Sequence, residues 1–379
     1  MDEILTNARL VLDDRVVLGT LTHAGGVIRD LSEGVSSLPG AVDLDGDLLA
    51  PGLIECHTDN LEKHAAPRPG VVWPDALAAA LAHDAQMATS GVTTVYDALF
   101  VGGYEVEDDP RKHILPTLAA AIETGVAEGV FRIDHRLHLR CELSDPELPE
   151  RLAPHLGRPL VGLVSLMDHT PGQRQWRDVA ALKRFMVREG LAAADAEALL
   201  ARRMRLGVEA AAVNRPYVLD LFRNAPIRLA SHDDTTEAHV AEAVESGCAI
   251  SEFPTTMAAA RAAHAAGLAV VAGAPNVVRG GSHAGGVAAE DLAREGVLDA
   301  LSSDYVPSSL LQAVGRLARG PGIALHEAFA FATSKPAEML GLADRGRLAP
   351  GMRADFVRLR FVRDTPVVAS VSVAGRRVA

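Results

Sequence analysis

The sequence predicts an α/β fold, a (β/α)₈ TIM-like barrel with a small β-sandwich domain built from both termini. From Pro51 to about Leu342 the chain alternates eight short β-prone runs with Ala-rich helical stretches, which favours a parallel sheet covered by helices. This middle part spans roughly 290 residues, the usual size of a closed barrel. An open doubly wound sheet is the alternative, because a count of strands does not distinguish the two.

Both ends of the chain read as short strands separated by turns. Charged residues and glycines recur every few positions there, and no helical period is present. We therefore assign residues 1–50 and 343–379 to the small β domain and residues 51–342 to the barrel. Two consecutive helical stretches at about 172–213 indicate an insertion after one barrel strand.

Composition restricts the classes of partner. Lys and Arg number 37 and Asp and Glu 49, so the net charge is −12. Such a chain is not expected to bind nucleic acid, and an anionic ligand would need local cations or metal ions. Cys56, Cys141 and Cys248 are widely spaced without a CxxC pair, which is typical of reduced thiols. No signal peptide and no apolar run of ~20 residues is evident, so we expect a cytoplasmic protein without a membrane span.

Polar residues follow the carboxyl ends of the predicted strands, where barrel enzymes build their sites. Any one of them alone would more often cap a helix or bond within a core, but so many together predict a metal centre. His57 and Asp59 are two residues apart and can reach the same ion. By the same alternation, Cys56 should face the helices. Imidazole and carboxylate groups suit Zn²⁺, Mn²⁺ or Fe²⁺. The predicted ligands are His57, Asp59, Glu142, His169, His232 and Asp304.

Other motifs were compared with this metal hypothesis. The chain contains no GxxxxGK[ST] and no GxSxG, which excludes the P-loop and the usual serine-hydrolase patterns. The segment from Arg279 to Gly286 is rich in glycine but lacks the GxGxxG spacing, so it does not favour a nicotinamide site. A loop with Arg, His and many backbone amides suits phosphate oxygens, and an ordinary turn is an equal alternative.

Several strings resemble the amidohydrolase superfamily. The segment Ala50–His57 is similar to its first barrel strand, and Ala332–Ala337 with Gly346–Asp355 is similar to its return into the small β domain. Within the superfamily the chain resembles the PhnM family of the carbon–phosphorus lyase pathway. The matching strings are His57–His64, Pro67–Pro69, Trp73–Pro74, His138–Glu142, Ser165–Gln173, Ser251–Thr256 and Pro275–His283.

The resemblance implies hydrolysis of α-D-ribose 1-methylphosphonate 5-triphosphate to the 5-phosphate and pyrophosphate, with one or two divalent metal ions. The Asp after the last strand is the general base in the superfamily, so Asp304 is expected to be catalytic as well as a ligand. Two positions depart from the superfamily pattern. Asp59 stands where most members have a second His, and Glu142 is the natural substitute for their bridging carboxylated lysine.

A polyanionic substrate would require cations on the binding face. We favour phosphate contact for Arg279, whereas Lys63 and Arg68 fit a solvated surface charge equally well. The roles of Glu62, His138 and Glu252 stay open. The histidines in helices or turns, such as His83 and His155, are expected at the surface or in packing. The predicted substrate-binding residues are Lys63, Arg68, Arg140, Arg279, Ser282 and His283.

Two competing functions use the same fold. One is hydrolysis of a C–N bond by a deaminase or cyclic amidase, which would not depend on phosphate-binding groups. The other is a barrel without catalysis, whose expected signature is missing ligands, and here the proposed set is complete. A homodimer is expected only by analogy.

Overall fold

The computed structural model describes residues 2–68, 70–102, 111–188, 190–282, 285–320 and 322–379, and all their side chains except those of residues 111–113, 175, 181 and 185. Its sixteen strands form two sheets. The strands are β1 Glu3–Val11, β2 Val16–Ala24, β3 Val27–Glu33, β4 Val42–Asp43, β5 Leu48–Pro51, β6 Leu53–Thr58, β7 Val92–Val101, β8 Asp134–Glu142, β9 Val161–Met167, β10 Arg228–His232, β11 Ile250–Glu252, β12 Ala269–Gly273, β13 Ala300–Ser302, β14 Phe356–Val362, β15 Thr365–Val373 and β16 Arg376–Arg377.

Helices follow most strands of the middle part. They are α1 Asn60–Ala65, α2 Ala76–Thr89, α3 Arg111–Ala127, α4 Leu148–Leu152, α5 Val179–Arg188, α6 Ala193–Phe222, α7 Glu237–Glu245, α8 Met257–Ala265, α9 Ala274–Arg279, α10 Ala289–Arg294, α11 Ser309–Arg319, α12 Leu325–Ala330 and α13 Ser334–Leu340.

Strands β6 to β13 form a parallel sheet in sequence order. Thr58 and Asp304 pair in parallel and bring the last strand back to the first, so the sheet is a barrel rather than an open sheet. The strands are buried on both faces, as β6 and β7 illustrate, because helices cover the outside. The predicted barrel is thereby confirmed.

The second sheet takes strands from both ends of the chain. Its order is β16-β15-β14-β5-β1-β2-β3, with β4 pairing β1. Strand β5 lies in its middle, between β1 and β14. A separate apolar cluster that includes Leu10, Leu21, Ile28 and Phe356 fills this domain. The predicted β domain from both termini is confirmed.

Helix α5 and the 30-residue helix α6 lie between β9 and β10. Arg174, which precedes α5, fixes this insertion to the barrel. Its guanidinium donates to the carbonyl oxygen of His232 at 3.0 Å, to Asp234 at 2.7 Å and to Glu242 on α7 at 2.8 Å. The insertion therefore begins beside the carboxyl end of β10.

Short polar caps hold the loops at this face of the barrel. The Thr236 hydroxyl accepts the N–H of His239 at the start of α7, and the Thr256 hydroxyl accepts the N–H of Ala259 at the start of α8. Such caps satisfy backbone donors that the first helical turn leaves unpaired. The loops after β10 and β11 thus have defined ends, which fixes the direction of the residues that precede them.

Candidate metal and substrate site

A cavity of about 350 Å³ opens at the carboxyl ends of the barrel strands. It brings together most of the residues predicted from sequence. Five of the six predicted ligands line it, namely His57, Asp59, His169, His232 and Asp304. Their strands lie far apart in the sequence, but parallel strand ends meet at one face of a barrel.

Glu252, at the end of β11, orients two of these histidines. Its Oε1 lies 2.7 Å from Nδ1 of His57, and its Oε2 lies 2.7 Å from Nδ1 of His232. Burial opposes ionisation, but the nearby His57 and the hydrogen bonds from His232 and His57 hold the pKa of Glu252 well below its usual range. The carboxylate therefore accepts both Nδ1 protons, which directs each Nε2 lone pair away from Glu252.

Asp233 joins His169 and His232 in one group of three metal donors. Its Oδ2 lies 3.6 Å from Nε2 of His169 and 3.7 Å from Nε2 of His232. This oxygen is buried and accepts no hydrogen bond from the part of the chain that the structure describes. A buried carboxylate oxygen without a partner, facing two imidazole nitrogens, suits a bound cation.

His57, Asp59 and Asp304 form a second group of three donors. Nε2 of His57 lies 3.7 Å from Oδ1 of Asp59. Burial raises the pKa of Asp304, and the nearby Asp59 carboxylate adds to this effect. Burial would also raise the pKa of Asp59, but Arg140, with which it forms an ion pair, and His57 keep it below its usual value.

The donor atoms of each group lie within 4.8 Å of one another. Imidazole and carboxylate are the ligands that Zn²⁺, Mn²⁺ and Fe²⁺ accept, so the residues present fit divalent transition metals. The two groups lie in one cavity and share no residue. The arrangement is therefore compatible with one ion or with two.

Glu142 lies behind His169 rather than in either group of donors. Its carboxylate contacts Nδ1 of His169 and accepts the backbone N–H of the same residue at 3.0 Å and the hydroxyl of Ser144. Burial opposes ionisation, but His169 lowers the pKa of Glu142 to about 2. In this arrangement Glu142 orients His169 as Glu252 orients the other two histidines.

Some of the residues predicted to bind substrate line the cavity and others do not. Arg140, Arg279 and Ser282 line the cavity. Lys63 does not line it but donates to the carbonyl oxygen of Tyr305, a lining residue, at 2.9 Å. Arg68 is exposed and does not line the cavity. His283 falls outside the described residues.

Some residues at the site were missed by the sequence analysis. Asp233 and Arg177 were not proposed as site residues, although Asp233 directly follows a predicted ligand at a strand end. Arg177 belongs to the insertion, and nothing in its local sequence indicates that it lines the cavity. The sequence analysis left the role of Glu252 open. Its position at the end of a predicted strand is the feature that could have indicated a place at the site.

His138 does not face the cavity. Its Nδ1 lies 3.1 Å from the carbonyl oxygen of Cys56, and its other ring nitrogen bonds Ser165. Burial lowers the pKa of His138 to about 3, which keeps the ring neutral. Ser165 in turn donates to Glu252 at 2.8 Å. His138 thus supports the carboxylate that orients His57.

A second buried cluster lies between α2, β7 and β8. Asp97 bonds His83 at 2.7 Å and His135 at 2.8 Å, and all three are completely buried. Burial opposes both charges, but Asp97 raises the pKa of His135 to about 9, while His135 and His83 lower that of Asp97 to about 2. Asp97 and His135 thus form a buried ion pair between β7 and β8, and the hydrogen bond between His83 and Asp97 joins helix α2 to it.

Sequence comparison identifies the family. The pattern of the "Amidohydrolase family" matches residues 48–378. The chain belongs to the amidohydrolase family. It is 45% identical over 357 residues to the alpha-D-ribose 1-methylphosphonate 5-triphosphate diphosphatase of Escherichia coli (strain K12), covering 93% of this chain and 94% of that protein. The predicted resemblance to this group of diphosphatases is thereby confirmed.

Solved structures of other amidohydrolases share the fold. The 5-methylcytosine deaminase of Klebsiella pneumoniae, liganded with 5-fluorocytosine, has a TM-score of 0.67 and 16% identity, covering 99% of this chain and 97% of that one. The N-acetyl-D-glucosamine-6-phosphate deacetylase of Mycobacterium smegmatis has a TM-score of 0.65 and 19% identity, covering 100% of both chains. At these identities the likeness concerns the fold alone.

Among the described helices of this amidohydrolase, none combines the length and apolar character that crossing a membrane requires.

Proposed function

We propose that this amidohydrolase is a metal-dependent diphosphatase that hydrolyses α-D-ribose 1-methylphosphonate 5-triphosphate to the 5-phosphate and pyrophosphate. The observation that carries the proposal is one cavity in which two groups of metal donors stand beside arginines. The diphosphatase of Escherichia coli, 45% identical over nearly the whole chain, supports the choice of substrate.

A divalent ion bound by these residues would supply a water of lowered pKa, from about 15.7 towards about 7. His57, Asp59 and Asp304 would hold one ion, and His169, His232 and Asp233 another. Glu252 and Glu142 keep the Nδ1 atoms of the histidines occupied, so that their Nε2 atoms face the cavity. We assign Zn, Mn or Fe to the site, since all three suit this donor set.

Asp304 takes the proton of the attacking water. Its carboxylate belongs to the donor group of His57 and Asp59 and lines the cavity, within reach of a phosphoryl group held there. Hydrolysis breaks the anhydride between the first and second phosphates. Charge on the phosphoryl oxygens requires cations and hydrogen-bond donors in the same cavity.

Arg279 and Ser282 are the substrate-binding residues that we favour most, because both line the cavity next to Gly281. Arg140 lies deeper and pairs with Asp59, so it couples a metal ligand to the binding face. Lys63 contributes positive charge near Asp59 and Asp304. Arg68 and His283 stay predicted substrate contacts from sequence alone.

Pyrophosphate release by metal-loaded protein tests the proposal. The ribose methylphosphonate triphosphate would be offered beside cyclic amides and aminopyrimidines. Pyrophosphate from the triphosphate alone, lost on treatment with a chelator and restored by Zn²⁺, Mn²⁺ or Fe²⁺, is the expected result. Ammonia or a ring-opened product would instead identify a C–N hydrolase. The activity of such an enzyme need not decrease in Arg279→Ala.

Three further features belong to the proposal. We assign the enzyme to phosphonate catabolism through the carbon–phosphorus lyase pathway, because the proposed substrate is a phosphonate ester of ribose triphosphate. Cys56, Cys141 and Cys248 are free and buried, which suits a reducing cytoplasm. A homodimer is retained as a prediction for which size-exclusion chromatography with light scattering is the measurement.

A further inference from the structure

Four arginines of the described ranges line the cavity, and two of them form ion pairs with carboxylates of the protein. Arg140 pairs with Asp59, and its guanidinium carbon lies 5.3 Å from the centre of the Phe100 ring. Arg174 is 4% exposed and is bound by Asp234, Glu242 and a backbone carbonyl. Neither guanidinium is free to bind a ligand without giving up these contacts.

The other two, Arg177 and Arg279, are exposed to the cavity. Neither side chain has a hydrogen bond or an ion pair to any residue within the described ranges. A guanidinium that no described residue engages has five N–H donors in a planar fork that matches phosphate oxygens. Both side chains are therefore available to an anion held in the cavity.

These two arginines reach the cavity from separate walls. Arg177 lies in the insertion after β9, whereas Arg279 is the last residue of α9 after β12. The chain beyond Arg279 leaves room for a ligand. Gly281 has φ +154°, and a Cβ placed on it would meet no atom within 4 Å. An anion between the two walls would lie above the donors contributed by β9 and β10.

The charge of the cavity lining also favours an anion between Arg177 and Arg279. The metal-donor groups hold three of the lining carboxylates, Asp59, Asp233 and Asp304, and bound cations would neutralise them. No described residue then compensates the charges of Arg177 and Arg279. An anionic extension of the substrate, beyond the phosphate that reacts, would supply the compensating charge.

We infer that Arg177 and Arg279 together bind the terminal phosphates of the 5-triphosphate, the part that leaves as pyrophosphate. This inference rests on the proposed function. Water adds its oxygen to one phosphorus of the first anhydride, the bridging P–O bond breaks with its electron pair going to the departing phosphate, and the water proton is released to Asp304. Two guanidinium groups on the phosphates that become pyrophosphate make the insertion a determinant of phosphate-chain length.

Calorimetric binding of inorganic tripolyphosphate to the metal-loaded protein tests the arginine pair without turnover. Arg177→Ala and Arg279→Ala should each weaken tripolyphosphate binding by about 10- to 100-fold, the usual loss for a charged hydrogen bond. Orthophosphate binding should change far less. Arg202→Ala is the matched control, because Arg202 is exposed on α6 and does not line the cavity. Wild-type tripolyphosphate affinity in Arg177→Ala would overturn the inference.

Turnover gives a second, independent readout. The ratio of kcat/KM for the ribose 5-triphosphate to that for the corresponding 5-diphosphate should fall about 10-fold or more in Arg177→Ala, and Arg177→Lys should recover part of it. An equal loss on both substrates would contradict the assignment. If wild-type protein binds tripolyphosphate through Arg177 but releases no pyrophosphate from the ribose triphosphate, the proposed reaction fails while the anion site stands.

Discussion

The backbone N–H of Asp304 donates a hydrogen bond to the carbonyl oxygen of His57, with 3.1 Å between nitrogen and oxygen. The carbonyl oxygen of Asp304 in turn accepts the N–H of Asp59 at 3.0 Å. Asp304 has φ +53°, a conformation that non-glycine residues adopt rarely. The contact that closes the barrel therefore also places the proposed base beside two proposed ligands.

Asp304→Asn should lower kcat for pyrophosphate release by about 10²- to 10⁴-fold, because the amide cannot accept the proton of the attacking water. Steady-state kinetics on metal-loaded protein, with the metal content measured on the same sample, is the assay. Asp364→Asn is the control, since Asp364 is exposed and forms an ion pair with Arg319 at 3.4 Å at the surface. Retained kcat with full metal content would remove Asp304 from the mechanism.

Glu252→Gln should weaken metal binding by about 10- to 100-fold, the usual effect of removing a partner that orients a ligand. The amide has one oxygen to accept the two Nδ1 protons of His57 and His232, and it carries no charge. Competition with a chromophoric chelator measures this affinity. Glu338→Gln, at an exposed ion pair with Arg347, should leave it unchanged. If Glu252→Gln binds metal as tightly as wild type in the chelator competition, then His57 and His232 do not depend on Glu252 for their orientation.

Asp97→Asn should lower the free energy of unfolding by about 3 kcal/mol at neutral pH, because it leaves buried His135 without its main counter-charge. Asp84, 3.4 Å from His135, would be the remaining acid near this ring. Guanidinium chloride unfolding is the measurement. Asp220→Asn serves for comparison, as its ion pair with Arg223 is exposed. If Asp97→Asn and Asp220→Asn unfold at the same guanidinium chloride concentration, the buried cluster does not contribute to the free energy of unfolding.

His155 should make stability depend on pH. It is 1% exposed and neither ring nitrogen has a hydrogen-bond partner in the described structure, and burial lowers its pKa from 6.5 to about 4. The unfolded chain therefore binds the proton more readily. The stabilisation is complete above pH 6.5 and is lost progressively as the pH falls from about 6.5 to about 4.

His155→Leu should not show this loss. The free energy of unfolding should therefore fall less between pH 8 and pH 5 for the variant than for wild type. Urea unfolding of both proteins in chelator, at each pH, isolates the effect from metal release. Parallel curves for the two proteins across this range would show that His155 does not contribute.

The barrel and the set of residues at its carboxyl face were predictable because both follow from local pattern. The carboxyl ends of all barrel strands lie at one face of the barrel. A His or Asp that directly follows an apolar strand therefore lies at this face, whichever strand precedes it. His57, His169, His232 and Asp304 reach the same cavity for this reason.

Other features depend on contacts that the sequence does not contain. Cys56 was expected to face the helices, and this prediction was wrong. It packs with Ile54 and with residues from six other barrel strands, because the pairing of β6 with β7 shifts register between Glu55 and Thr58. Asp233 reaches the histidines from a residue with φ +55°, and no strand alternation predicts that direction.

Placing Arg177 required the packing of a whole insertion. Arg174, three residues earlier, is fixed by acids that lie on or before a helix far along the chain. Such long-range ion pairs depend on the assembled barrel, so the local sequence around Arg177 carries no sign of them.

The central position of β5 in the second sheet has a consequence for biosynthesis. One edge of β5 pairs with β1, which leaves the ribosome at about the same time, but its other edge waits for β14, some three hundred residues later. The nascent chain must therefore carry an unpaired strand edge while the entire barrel is translated, and contacts of such long sequence separation form slowly. The sheet that begins before the barrel is completed only by strands that follow the barrel in the chain.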